Sequence, residues 1–135
     1  MNETTFIKVS DVMTPSVHAI ERTATVSQAI REMRRHNVSS LAVERRDATD
    51  EFGVITITDI ARDVIATDSP PDRVNVYEIM SKPVLTVPAE MDIRYAVRLL
   101  VKFGPSRAIV VDHDRQPVGI VTLRDMVLGH TGDEG

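Results

Sequence analysis

The sequence predicts an α/β fold made of two small repeated units, and two observations carry that prediction. The first is one short stretch that occurs twice. Gly53-Val54-Ile55-Thr56-Ile57-Thr58-Asp59-Ile60 and Gly119-Ile120-Val121-Thr122-Leu123-Arg124-Asp125-Met126 each run from a glycine through a β-favouring segment to a threonine. An aspartate follows three residues later, and from there the apolar spacing becomes helical. Each stretch is therefore a strand running into a helix. The second observation is that the repeat extends over most of the chain. A shift of 67 positions lays Val9 on Val76, Met13 on Met80, Val17 on Val84, Ala29 on Ala96, Ser39 on Ser106 and Val43 on Val110. Past a polar turn the shift becomes 66, laying Gly53 on Gly119, Thr56 on Thr122 and Asp59 on Asp125. Two copies are too few for a solenoid.

Each element has a local reason. Lys8 to Thr14 reads as a helical turn closed by Pro15, and Val17 to Ile20 as an extended piece. Thr25 with Gln28 forms a capping box ahead of Val26, Ala29, Ile30 and Met33, which follow helical spacing. Asn37, tolerant of the left-handed conformation, stops that helix. Leu41–Glu44 and Phe52–Ile57 read as strands around a charged turn, with Arg45-Arg46 at its solvated tip. A helix from Thr58 carries Ile60, Ala61, Val64 and Ile65 on its apolar side. Asp68-Ser69-Pro70-Pro71-Asp72 breaks the chain. The second copy repeats the order. A turn spans Val76–Met80 and an extended piece Val84–Val87. Asp92 caps a helix whose apolar face is Ile93, Ala96, Val97, Leu100 and Val101, and Gly104 ends it. Strands Ala108–Val111 and Val118–Leu123 follow, then a helix from about Arg124 to Leu128, ended by Gly129. The organisation is a first repeat over 7–67, a linker over 68–75, a second repeat over 76–129 and a tail over 130–135.

Composition limits the function. The chain has 135 residues, of which 42% are hydrophobic and 27% charged, as in an ordinary globular domain. Only 4% are aromatic, so Val, Ile, Leu, Met and Ala must build the core. The absence of cysteine excludes disulfides, thiolate metal sites and a cysteine nucleophile. A formal charge of −4 argues against general nucleic-acid binding. The first residues lack the basic and apolar regions of a signal peptide, and no apolar run approaches the ~18 residues of a membrane span. The expectation is a cytoplasmic protein.

At the junctions, a threonine and an aspartate stand where helix N–H groups are unpaired and partly positive. They can cap the helix, or they can serve a phosphate and a sugar. A carboxylate can accept both hydroxyls of a ribose, as acidic residues do in dinucleotide folds.

The ordered set of motifs resembles the cystathionine-β-synthase (CBS) domain, twice. The residues are Val12-Met13-Thr14-Pro15, Val38-Ser39-Ser40-Leu41-Ala42-Val43 and Thr56-x-x-Asp59 in the first copy. Ile79-Met80-Ser81, Ser106-Arg107-Ala108-Ile109-Val110-Val111-Asp112 and Thr122-x-x-Asp125 carry it in the second. The resemblance covers roughly residues 7 to 128. It implies a tandem pair, or Bateman module, of two βαββα units packed through their sheets with pseudo-twofold symmetry. It also implies regulation by adenosine-type ligands held in clefts between the units. By its place in the motif, Arg107 resembles the phosphate-contacting arginine of nucleotide-binding CBS pairs. The uncharged Ser40 is its counterpart. One expected cleft joins Arg107, Thr122 and Asp125 with Val17, His18, Val38 and Ser39, and suits phosphate. The other joins Thr56 and Asp59 with Val84, Leu85 and Ser106, and suits an uncharged adenosine moiety or stays empty.

The expected function is a non-enzymatic sensor of AMP, ADP or ATP that needs no cofactor. It would act as a homodimer, with a regulated partner protein as a further expectation, away from nucleic acid and membrane. The alternatives are a dimerisation module without ligand, or a sensor of S-adenosylmethionine or a dinucleotide. His18, His36, His113 and His130 have no metal-ligand spacing. Asp112-His113-Asp114 reads as a hydrated hairpin turn. Met13, Met33, Met80, Met91 and Met126 read as core filler. The helical faces Val26, Ala29, Ile30, Met33 and Ile93, Ala96, Val97, Leu100 are expected to supply a twofold interface.

Overall fold

The computed structural model of the chain describes residues 6–82, 84–105 and 107–130. In chain order its elements are α1 (Val9–Val12), β1 (Ala19–Ile20), α2 (Val26–His36), β2 (Ser40–Val43), β3 (Gly53–Thr56) and α3 (Ile57–Ile60). A π-helical segment, Ala61–Ile65, continues α3. Then come α4 (Val76–Ile79), β4 (Thr86–Pro88), α5 (Ile93–Phe103), β5 (Arg107–Val111), β6 (Pro117–Thr122) and α6 (Leu123–His130). The fold is mixed α/β with two three-stranded sheets, ordered β1-β2-β3 and β4-β5-β6. In both sheets the first pair is parallel and the second antiparallel.

The chain forms two compact units that cut across the sequence repeats. One holds residues 18–84 and the other residues 1–17 with 85–135. The 18–84 unit contains β1, β2, β3, α2, α3 and, from the second copy, α4. Val76 lies in its core with Ile20, Val26, Leu41 and Ile55. The Val76 N–H donates to Ala24 O at 2.8 Å, and Ser81 and Val54 exchange a pair of backbone bonds at 2.9 and 3.0 Å. The other unit mirrors this. Val9 of α1 is buried with Val87, Ile93, Leu100 and Val121. Its N–H donates to Met91 O at 2.8 Å, while Thr14 and Ile120 exchange bonds at 2.9 and 3.1 Å. Each copy's helical turn is thus seated on the sheet of the other copy.

The repeated glycine is the seat. A Cβ on Gly119 would lie 2.5 Å from Met13 Sδ and 2.6 Å from Thr14 O, and one on Gly53 would lie 2.8 Å from Met80 Sδ. Side-chain bulk is excluded where the turn's backbone pairs with the strand.

The helix caps follow the sequence. Thr25 and Gln28 form the capping box of α2, and Asp92 accepts from Arg94 N at 2.9 Å ahead of α5. The Arg94 guanidinium beside Asp92 holds that buried carboxyl below the usual range. Both long helices end left-handed, at Asn37 (φ 54°) and Gly104 (φ 95°). Three expectations are corrected. The helix after β3 widens into a π turn that directs Val64 into the core and leaves Ala61 and Ile65 exposed. Val101 is 68% exposed and does not belong to the apolar face of α5. Gly129 lies inside α6, which runs on to His130, and a Cβ there would lie 2.5 Å from Val12 Cγ1.

Candidate functional site

The two Thr-x-x-Asp junctions form the same local structure. The Thr56 hydroxyl accepts from Asp59 N at 3.1 Å, and Asp59 Oδ2 accepts from Thr56 N at 2.9 Å. Thr122 and Asp125 make the same two bonds at 3.0 Å each. These are reciprocal caps of α3 and α6. They occupy one carboxylate oxygen in each copy, and the other oxygen differs. Asp59 Oδ1 accepts from Arg62 Nη2 at 3.0 Å. Asp125 Oδ1 has no protein partner among the described residues. Asp59 is buried, whereas Asp125 is partly open.

Strand register fixes the next position. Arg107 opens β5 directly opposite Thr122, and Ser40 opens β2 directly opposite Thr56. The charged and uncharged residues therefore occupy the same place in the two sheets. The compact units group the remaining candidates. His18, Val38, Ser39 and Val84 belong with Thr56 and Asp59 in the 18–84 unit. Val17 and Leu85 belong with Arg107, Thr122 and Asp125 in the other. His18 O accepts from Ala42 N at 2.9 Å, and Leu85 O, one repeat later, accepts from Ile109 N at 3.0 Å. The chain passes between units at Val17–His18 and at Val84–Leu85. Ser106 lies outside the described residues.

Two features of this region escaped the sequence. Arg62 grips Asp59 and also Asp63, with contacts of 3.0 and 3.1 Å to the latter. Its proton is held more tightly than in a free guanidinium, by Asp63 first and then Asp59. A charge at i+3 from an aspartate is ordinary on a helix, so the spacing alone carries no signal. The His18 and His36 rings stack with centroids 3.9 Å apart, and Glu32 Oε1 lies 3.2 Å from His36 Nε2. A pairing between positions this distant in sequence leaves no local pattern. No cluster of three or more His, Asp or Glu side chains suited to a metal occurs among the described residues.

The helical faces expected to form an interface are largely closed. Val26, Ala29, Met33, Ile93, Ala96 and Leu100 are buried inside their own units, because the sheets and the seated turns cover them. The exposed apolar residues are others, among them Ile57, Ile65, Val127 and Leu128. Ile57 and Ile65 border a hollow of about 390 Å³ between α2 and the α3–π segment. No helix among the described residues is long and apolar enough to cross a membrane.

The CBS domain family model matches residues 9–66 and again residues 76–128. The chain belongs to the CBS-domain family. It resembles an uncharacterised protein of Methanopyrus kandleri, with 31% identity over 90% of this chain and 61% of that protein. The chain spans between 23% and 61% of the length of the first three curated relatives. Among solved structures, it matches a hexameric CBS-CP12 protein from bloom-forming cyanobacteria at a TM-score of 0.85 and 32% identity, covering 92% of this chain and 71% of that one. It also matches a CBS domain pair solved in complex with 5-methylthioadenosine and S-adenosyl-L-methionine. There the TM-score is 0.76 and the identity 25%, covering 92% of this chain and 95% of the other.

Proposed function

We propose that this CBS pair is a regulatory module that senses adenosine-containing nucleotides of the AMP, ADP or ATP class. It has no catalytic activity of its own and acts as a homodimer on a partner protein. The observation that carries this reading is one junction: among the described residues Asp125 keeps a carboxylate oxygen without a protein partner, and Arg107 stands across the strand pair from its capping partner Thr122. The spare oxygen can take ribose hydroxyls, and the guanidinium can take phosphate. The solved CBS pair with 5-methylthioadenosine and S-adenosyl-L-methionine supports the adenosine part of the reading. Arg107 supports phosphate as the group added to it. The exposed Ile57 and Ile65 beside the apolar hollow support a self-association face.

A second reading is favoured by a specific observation. Both Thr-x-x-Asp motifs are complete helix caps, and that is all a module without ligand would need of them. Titration calorimetry of AMP, adenosine and S-adenosylmethionine separates the two. The nucleotide reading expects AMP to bind better than adenosine. It also expects Arg107→Ala to cost AMP about 1.5–3 kcal/mol more than adenosine. Equal loss for both ligands removes the phosphate role. No binding by any of the three leaves the module without ligand.

A further inference from the structure

The two junctions differ in what holds the second carboxylate oxygen, and that difference has a chemical consequence. Under the 66-residue shift Arg62 falls on Leu128 and Asp63 on Gly129, so the second copy has neither charge. In the first copy Thr56 N–H holds Asp59 Oδ2 and Arg62 Nη2 holds Oδ1, at 2.9 and 3.0 Å. A ribose diol approaching Asp59 meets a carboxylate whose two oxygens are already engaged. We infer that Arg62 is a specificity-determining lock on the Asp59 junction, competing with ligand hydroxyls for Oδ1. The inference rests on the nucleotide-sensing reading above and deepens it. The Asp59 junction does not lack a guanidinium. It has one, supplied by the helix rather than the strand, and turned onto its own carboxylate.

The lock is built to open. The Arg62 side chain is 60% exposed, so it can swing into water without disturbing the core. Asp63 offers it a second resting place, with Arg62 Nε 3.0 Å from Oδ1 and Nη2 3.1 Å from Oδ2. Release from Asp59 therefore breaks one contact and leaves the guanidinium paired. The two neighbours of the lock should then act in opposite directions. Removing Arg62 frees Oδ1 for a ligand. Removing the charge of Asp63 leaves Arg62 with Asp59 alone and tightens the lock.

The test uses adenosine as probe on the full chain, by titration calorimetry, in an Asp125→Ala background that silences the other junction. Arg62→Leu, which copies the second repeat, is expected to strengthen adenosine binding about two- to fivefold, the range of an exposed ion pair. Asp63→Asn is expected to weaken it. Thermal melts of each variant establish that the fold is kept, and a merely structural Arg62 would not give opposite signs. Unchanged or weaker binding by Arg62→Leu overturns the lock. So does the absence of adenosine binding in the Asp125→Ala background with and without the Arg62 change, provided the parent protein binds. If the parent itself binds no adenosine compound, the nucleotide reading and the lock fall together.

Discussion

At the residue scale, shielded charges are handled by pairing, and Asp50 is a clear case. It lies in the turn between β2 and β3, where its side chain is only 7% exposed. Its Oδ2 accepts from Arg46 N at 2.9 Å, and Lys82 Nζ lies 2.6 Å from Oδ1. The backbone N–H of Arg46 and then the Lys82 ammonium hold its carboxyl far below the usual range. A depressed carboxyl pKa gives stability that is complete above the unfolded value, near 4, and is lost as pH falls through the folded value. Asp50→Asn is therefore expected to melt a few degrees below the parent at pH 7, with the gap closing below about pH 4. Thermal unfolding across that range checks it; a gap independent of pH would mean that the carboxylate's charge contributes nothing.

The same scale marks what the sequence could not supply. Thr56, Asp59, Thr122 and Asp125 were legible because capping boxes have a fixed three-residue spacing. The placement of Arg107 and Ser40 was legible because the repeat sets strand register. Arg62 was not, since which of several nearby carboxylates a helical arginine grips depends on its rotamer and on the π turn beneath it.

At the element scale, the two copies agree where the backbone is constrained and diverge where it is not. Asn37 and Gly104 hold the same left-handed conformation at the ends of α2 and α5. The final helices differ, a short α-helix with a π turn in one copy and an unbroken helix in the other. The glycines under the seated turns give a graded prediction. At Gly119 an added methyl meets Thr14 O at 2.6 Å, and a backbone atom there can move only with its whole turn. At Gly53 the nearest atom is Met80 Sδ at 2.8 Å, at the flexible end of a side chain, with Ser81 O at 3.2 Å. Gly119→Ala is expected to cost about 1–3 kcal/mol and Gly53→Ala less. Urea unfolding of both variants decides it, and an equal or reversed order would show that the turns are loosely seated.

At the scale of the whole molecule, the exchange of turns sets where the chain can be divided. The linker over 68–75 is the natural cut by sequence, yet a 1–67 fragment leaves behind α4 and Val76, which complete the core of the first copy's sheet. A fragment of residues 18–84 keeps sheet, helices and turn together. The 18–84 fragment is expected to unfold cooperatively in urea and the 1–67 fragment to show a broad, low-amplitude transition. Small units have little core to lose. Comparable cooperativity in both would mean that the turn adds nothing to the sheet it covers.

The exchange also bears on ancestry. A gene encoding a single copy would specify a sheet with no turn upon it and a turn with no sheet beneath it. Two such polypeptides could satisfy each other only as a pair trading turns. Duplication and fusion make that trade internal and free it from concentration. They also tie the copies' later histories together. A substitution at Val9 in the first copy acts on the sheet of the second, and one at Val76 acts on the sheet of the first. Neither copy can drift alone.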